Sequence, residues 1–301
     1  MLKIGIIGLG NIAQKAYLPV IGKKNVEAHL YSRNEDTLLN LGEQYRIKNR
    51  HHSLESLIKS GISGAFVHAP TAAHENLVEQ LLSHNIHVYV DKPITYDYSS
   101  SEKLLALAEK KKLLLTVGFN RRYAPAYQKL KELPNPNMII MQKNRRSLPG
   151  DVRTFIFDDF IHVIDTILYL FTHPIEKLAV TGKKKETMLY HVVVQFTAAN
   201  GAIALGIMNR DGGTIEEKVE VFSSGEKRVV QNFSDVVIHE NKNEIRLGSG
   251  DWEKTLHRRG FEQIVETFLQ ALASTSPHLH YQEALLTHRI CEQVVEKLNE
   301  I

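Results

Sequence analysis

The first third of the chain alternates short apolar runs with stretches of helical period. The runs at 3–7, 27–32, 64–68, 87–90 and 113–117 read as strands, and all but 27–32, which holds Glu27, His29 and Ser32, are nearly continuously apolar, as strands are when a sheet is covered on both faces. Between them, 12–21, 36–45, 54–60, 74–84 and 99–111 bring apolar side chains to one helical face. Regular strand–helix alternation predicts a parallel sheet with crossover helices.

Near residue 119 the pattern changes. The run Leu133-Pro134-Asn135-Pro136-Asn137 is a breaker, because two prolines remove backbone donors. It ends a short helix predicted over 123–133, and a further helix is predicted over 158–170. Hairpin signals then follow one another. Strands 189–197 and 202–209 flank Asn200-Gly201, and 219–223 and 229–233 flank Ser224-Gly225. Strands 236–240 and 244–247 flank Asn241-Lys242-Asn243. Successive hairpins predict an open, mainly antiparallel sheet. Two helices close the chain. Phe261, Ile264, Val265, Phe268, Leu269 and Leu272 share one face of the first, and Ala284, Leu285, Cys291, Val294, Val295 and Leu298 share one face of the second.

Composition narrows the class without selecting a chemistry. A chain of 301 residues is long enough for two domains. Its 37 Lys+Arg against 34 Asp+Glu leave a net charge of +3, no general reason to bind a polyphosphate backbone. With 43% hydrophobic and 24% charged residues the chain is neither disordered nor collagenous. The single cysteine, Cys291, excludes an internal disulfide and a Cys-rich metal site, so a reducing, cytoplasmic setting is expected. No apolar run approaches the roughly 20 residues needed to span a bilayer. The apolar start 4–7 leads straight into a glycine turn and reads as a strand rather than as the core of a signal peptide.

That turn carries the first chemistry. Gly8-Leu9-Gly10-Asn11-Ile12-Ala13 follows a strand and opens a helix. Gly8 can adopt the angles of a tight turn, and Gly10 lets backbone approach a pyrophosphate. The helix start, at Asn11 and Ile12, offers free N–H groups and a partial positive charge. This is a dinucleotide-binding pattern in which Ala13 takes the place of the third glycine. The second strand ends Tyr31-Ser32-Arg33-Asn34, where an NAD site usually holds a carboxylate. A hydroxyl followed by a guanidinium suits a 2′-phosphate, so NADP is the expected cofactor, with NAD as the alternative. The fold class implied is α/β. Residues 1–119 form a doubly wound Rossmann domain. Residues 120–301 form an α+β substrate and oligomerisation domain, whose last helix, 281–299, returns onto the first domain.

Ala69, Pro70, Thr71 and His74 follow the run at 64–68, and Asp91-Lys92-Pro93 follows the run at 87–90. Both segments fall at carboxyl ends of parallel strands, where open α/β sheets bind ligands. An ammonium beside a developing alkoxide stabilises its charge and can share its proton. Asp158, His162 and Asp165 share one face of the helix predicted over 158–170, and a carboxylate one turn away can hold an imidazole's tautomer. Together with Gly118-Phe119-Asn120-Arg121-Arg122-Tyr123, these motifs resemble the Gfo/Idh/MocA family of NAD(P)-dependent oxidoreductases over nearly the whole chain. Within it they most resemble the oxidoreductases labelled virulence factor MviM.

The resemblance implies hydride transfer between nicotinamide and a carbinol or carbonyl carbon, with a sugar or cyclic polyol as the expected substrate. It makes Lys92, His162 and Asp158 the catalytic candidates. Gly8, Gly10, Asn11, Ile12, Ser32, Arg33, Ala69, Pro70, Thr71, His74, Asp91 and Lys92 are the cofactor candidates. Lys92, Asn120, Arg122, Tyr123, Asp158 and His162 are the substrate candidates. It also implies a homodimer or homotetramer.

Two departures stand out. The family's Glu-Lys-Pro is Asp91-Lys92-Pro93 here, and Phe160 takes a glycine position, which is expected to reshape the substrate pocket. A catalytically silent NAD(P)-binding sensor and a family member acting on a non-sugar remain alternatives. His51-His52 and His278-Leu279-His280 lack acidic or Cys companions, and no metal site is expected.

Overall fold

Two sheets organise the chain. In the computed structural model residues 1–248, 250–274 and 281–300 are described, and the chain divides into two units. The first is Met1–Gly118 with Phe261–Leu286, the second Phe119–Gly260 with Thr287–Ile301.

The first unit is built on β1 (Leu2–Ile7), β2 (Val26–Tyr31), β3 (Asn49–His51), β4 (Gly64–Val67), β5 (His87–Val90) and β6 (Leu115–Val117). All pair in parallel, in the order β3-β2-β1-β4-β5-β6. Ile4, Ile6, Phe66, Val67, Val88 and Val90 have no exposed surface, which accounts for the apolar runs. Between β1 and β4 the order reverses. Chains leaving these strands therefore diverge to opposite faces and open a crevice at their carboxyl ends. Side chains start the helices that follow: Asn34 Oδ1, Ser53 Oγ and Asp97 Oδ1 accept from the N–H groups of Thr37, Ser56 and Ser100. The three-residue β3 carries no apolar run. It pairs with β2 and is tied there by His29 and His51, whose rings bond at 3.0 Å.

The sequence places the helix of Phe261 to Leu272 in the second domain, but Phe261–Ala273 belongs to the first unit. Packing explains this. Phe268 meets Phe66 and Tyr89 edge-on, with centroids 5.0 and 5.6 Å apart. Leu272 sits so closely over Gly64 that a Cβ there would stand 2.7 Å from its Cδ1.

The second unit carries β7 (Met138–Arg146), β8 (Gly150–Asp151), β9 (Ile175–Lys185), β10 (Met188–Ala198), β11 (Ile203–Gly212), β12 (Glu216–Phe222), β13 (Glu226–Gln231), β14 (Val236–Glu240) and β15 (Asn243–Leu247). The order is β15-β14-β13-β12-β7-β11-β10-β8, with β9 also paired to β10. Only β7 and β11 run parallel; the other pairs are antiparallel. A π-wound turn, Phe155–Phe160, continues into helix Ile161–Leu170. This helix lies against β11 at Gly206, where a Cβ would meet Ile167 and Val163 at 3.0 Å and Phe160 at 3.4 Å. Phe160, expected to reshape a substrate pocket, is instead fully buried in this core. Cys291 is buried too. Among the described residues no helix is long and apolar enough to cross a membrane.

Candidate functional site

In the first unit the loop after β1 is held in a tight, close-packed turn. Gly8 has φ +82° and donates its N–H to Tyr31 O at 3.1 Å. A Cβ on Gly8 would lie 2.4 Å from Ala69 N and 2.6 Å from Ala69 Cα, so only glycine fits. At Gly10 a Cβ would meet nothing within 4 Å: here the loop opens onto free space at a helix start, whose first N–H groups have no intrahelical acceptor. Gln14, which the sequence motif does not single out, donates from its side chain to Leu9 O at 2.7 Å and pins the loop. Ile12 is 40% exposed, an apolar surface left at the mouth of the turn. Gly8→Ala is expected to lower stability by about 1–3 kcal/mol, read as a fall in Tm. Gly10→Ala, with open space around it, should change stability by less than about 0.5 kcal/mol.

The end of β2 presents Ser32 and Arg33. Ser32 Oγ accepts from Asn34 N–H at 3.1 Å and keeps its own proton to donate. Arg33 is exposed, and among the described residues it has no ion-pair or hydrogen-bond partner.

Ala69 and Thr71 are half-buried and Pro70 exposed beyond β4. His74, expected at the cofactor, is buried. Its ring nitrogens lie 2.8 Å from Ala69 O and 2.9 Å from Pro93 O. It therefore braces the two loops rather than facing a ligand. The loop it braces carries Lys92, half-buried before a cis Lys92-Pro93 bond. Asp91 Oδ1 accepts from Lys92 N–H at 2.8 Å. Beneath lies a network the sequence reading lacks. His68 Nδ1 stands 3.8 Å from Asp91 Oδ2, the His68 ring stacks on Tyr17 at 3.9 Å, and Tyr17 and Tyr89 share a hydroxyl bond of 2.8 Å. Burial pushes the His68 pKa down. Burial works to raise that of Asp91, but His68 and Lys92 outweigh it and hold the carboxyl below its ordinary value.

In the second unit, His162 lies near the start of helix Ile161–Leu170 and Asp158 in the π-wound turn before it; both are half-buried among buried neighbours. Asp165, expected to flank His162, is committed elsewhere. Arg122 donates to it through Nε at 3.0 Å and Nη2 at 2.7 Å, and Thr287 donates at 3.2 Å. This engages Arg122 internally, contrary to its expected role as a substrate contact. Asn120 is likewise buried, its Nδ2 donating to Arg259 O at 2.7 Å. Tyr123 remains half-buried.

Sequence reasoning misses a second group of charges. Lys143 and Arg145 lie two residues apart on β7, so they share a face. Lys143 forms a very short ion pair with Asp159, and Arg145 binds the same carboxylate through Nε and Nη2, both at 3.0 Å. On β12, Glu217 lies opposite Lys143, bound by Arg121 at 2.9 and 2.7 Å and by Tyr127 OH at 2.5 Å. The only hint was a polar run, Gln142 to Arg146, in which Lys143 and Arg145 continue the alternation of Ile139 and Met141.

Of the two remaining histidine motifs, only the first lies within the described residues. His51 bonds to His29 and Ser56. No group of three His, Cys, Asp or Glu among the described residues could hold a metal ion. His278-Leu279-His280 lies outside the described residues.

Comparisons with known proteins bear on the family and the fold. Residues 2–119 match the model of the GFO_IDH_MocA oxidoreductase family with an NAD-binding Rossmann fold, and residues 125–241 match a YceM-like C-terminal domain. The chain is 33% identical over 300 residues to the oxidoreductase YceM of Salmonella typhimurium, covering 97% of this chain and 96% of that one. The crystal structure of a dehydrogenase, MviM, from Clostridium difficile superposes with a TM-score of 0.93 at 32% identity, covering 98% of this chain and 99% of the other. A myo-inositol 2-dehydrogenase of Thermotoga maritima is 24% identical over 268 residues, 79% of this chain and 77% of its own.

Proposed function

Because the chain belongs to the Gfo/Idh/MocA oxidoreductase family, we propose that it transfers a hydride between NADP(H) and a carbinol or carbonyl carbon of a sugar or cyclic polyol. The observation that carries this reading lies within one sheet: the tight Gly8 turn opens at Gly10 onto free space, and the loop after β5 of the same sheet carries Lys92. The inositol dehydrogenase relative supports a polyol as the substrate class.

The residues present fit a dinucleotide. Residues 8–12 would receive the pyrophosphate on free amides. Ser32 and the unpaired Arg33 would hold a 2′-phosphate, and Ala69, Pro70, Thr71 and Asp91 would border the nicotinamide end. The bound nicotinamide supplies the hydride acceptor or donor. Lys92 bonds the reacting oxygen and stabilises its developing negative charge. His162 takes the hydroxyl proton in oxidation and returns it in reduction. Asp158 orients His162, and Tyr123 contacts the substrate. His74 and Asp91 position Lys92, through Pro93 O and the Lys92 N–H respectively.

Cofactor choice is tested by fluorescence titration with NADPH and NADH. The wild type should bind NADPH about tenfold or more tightly, and Arg33→Ala should erase that difference by weakening NADPH alone, since a charge-assisted contact contributes about 1.5–3 kcal/mol. Tighter binding of NADH by the wild type would overturn the assignment of Arg33.

A further inference from the structure

We infer that Lys143, Arg145 and Arg210 form a cradle for an anionic oxyacid group, carboxylate or phosphate, on the substrate. This inference rests on the second unit acting on a small molecule, as proposed above.

The three side chains converge on one carboxylate. Lys143 and Arg145 contact Asp159 directly, and Arg210 Nε stands 3.9 Å from Asp159 Oδ2, beyond hydrogen-bond reach. Three cations thus meet one contacting anion. Asp158 and Asp151 attract Arg210 only at longer range. Arg210 is the unfinished member. Its side chain is 11% exposed and its guanidinium lies 4.8 Å above the ring of Phe155. Its Nε is buried without an acceptor, and among the described residues none of its guanidinium nitrogens makes a hydrogen bond. A largely buried guanidinium without an acceptor is costly unless something else supplies one. Arg145, by contrast, is 35% exposed along its side chain, so the group is open to solvent on one side.

The electrostatics point the same way. Burial, and then the nearby Arg121, push the Lys143 ammonium down to about 7 despite its contact with Asp159. Burial also lowers Arg210. Burial is thus the main cost of the charge on both groups, and an anion bonded directly to Arg210 would offset it. The fork of a guanidinium fits a planar carboxylate or two phosphate oxygens.

The placement suits a substrate site. Asp159 follows Asp158 directly and precedes His162 by three residues. The charge of Asp158, proposed to orient His162, also reaches Arg210, so the cradle lies within electrostatic range of that residue. A polyol bearing an acid or phosphate group would be oriented by its charge, while a neutral polyol could offer Arg210 only a weaker, uncharged acceptor.

The test is calorimetric titration of the full chain with glucuronate, glucose 6-phosphate, inorganic phosphate and neutral glucose, comparing wild type, Arg210→Met and Arg145→Met. Replacing Arg210 leaves no buried carboxylate without its bonded partner, so this variant should fold. At least one anion should bind tenfold or more tightly than glucose. That advantage should weaken with salt and be lost in Arg210→Met, with NADPH affinity unchanged. Preference for glucuronate would assign a carboxylate, and preference for the two phosphates a phosphate. Equal binding of glucose and all anions, or anion affinity that survives both substitutions, would overturn the cradle. If a neutral polyol is turned over with kcat/KM unchanged by Arg210→Met, the cradle fails while the oxidoreductase reading stands. If anions bind as expected but no substrate turns over, the cradle stands and the oxidoreductase reading fails.

Discussion

Lys92→Ala and His162→Ala each reduce turnover by about 10²–10⁴-fold, the range expected for removing a charge-stabilising donor or a proton-transfer group. The two losses differ in kind. Lys92 acts on the charge of the reacting oxygen, so its removal lowers kcat and kcat/KM together. His162 acts on the proton. Its removal should also change the shape of the pH–rate profile, which Lys92→Ala should not, if His162 carries the proton. The double variant should lose less than the product of the single losses, because both groups serve one transition state. Affinity for NADPH should survive His162→Ala, since the residues proposed to hold the dinucleotide lie in the other unit. The measurement is steady-state kinetics over a pH series with fluorescence titration of the same preparations. Unchanged turnover in either variant would remove that residue from the mechanism.

Glu217→Gln lowers stability by about 3–5 kcal/mol, the cost of breaking a buried ion pair by removing one partner. The carboxylate accepts two bonds from Arg121 and one from Tyr127, and all three groups are shut off from water. An amide at this position can accept but carries no charge, so the Arg121 guanidinium would remain buried and uncompensated. For a unit of this size the loss corresponds to a fall in Tm of about 6–20 °C. The pH dependence follows from the same geometry. Burial acts to raise the Glu217 carboxyl, but Arg121, Lys143 and Tyr127 outweigh it and bring the pKa down to about 2. A depressed carboxyl adds stability that is complete above its unfolded value of 4.5 and is lost as pH falls through about 2. Wild type should therefore lose this contribution over that acid window, and Glu217→Gln should not. Thermal melts of both proteins along a descending pH series check it.

What the sequence could show follows from how each element is buried. Parallel strands covered on both faces are mostly apolar, so β1, β4, β5 and β6 stand out as runs, while β2 is interrupted by Glu27 and His29 and is half-buried over much of its length. Gly8 stands out because no side chain could replace it. The strand β7 hides because its second half carries Lys143, Asn144, Arg145 and Arg146. Such a run reads as solvated surface until Asp159 and Glu217, distant in sequence, are seen to neutralise part of it. Half-exposed β9 ends in three consecutive lysines and has no fully buried position, so its short apolar stretch from Leu178 to Val180 reads as weakly as a loop. In the site, Lys92 and His162 were legible as motifs, but the partners of their neighbours were not. Asp165 sits one helical turn from His162, yet its carboxylate turns to Arg122 and Thr287. The π-wound turn at Phe155–Phe160 alters the regular spacing on which the shared helical face of Asp158 and His162 was reckoned. His74 and Asn120 look like ligands in a motif, but each is spent on holding backbone carbonyls in place.

The central claim is hydride transfer from a bound nicotinamide, and isotope transfer tests it most directly. The wild-type protein is mixed with NADPH deuterated at the transferable C4 position and with panels of keto-sugars, keto-sugar acids and cyclic ketones, and products are read by mass spectrometry. The account predicts deuterium on the carbinol carbon of one product class, absent in Lys92→Ala. NADPH that binds tightly yet keeps its label against every panel would contradict it and leave the chain a binder of the dinucleotide without chemistry.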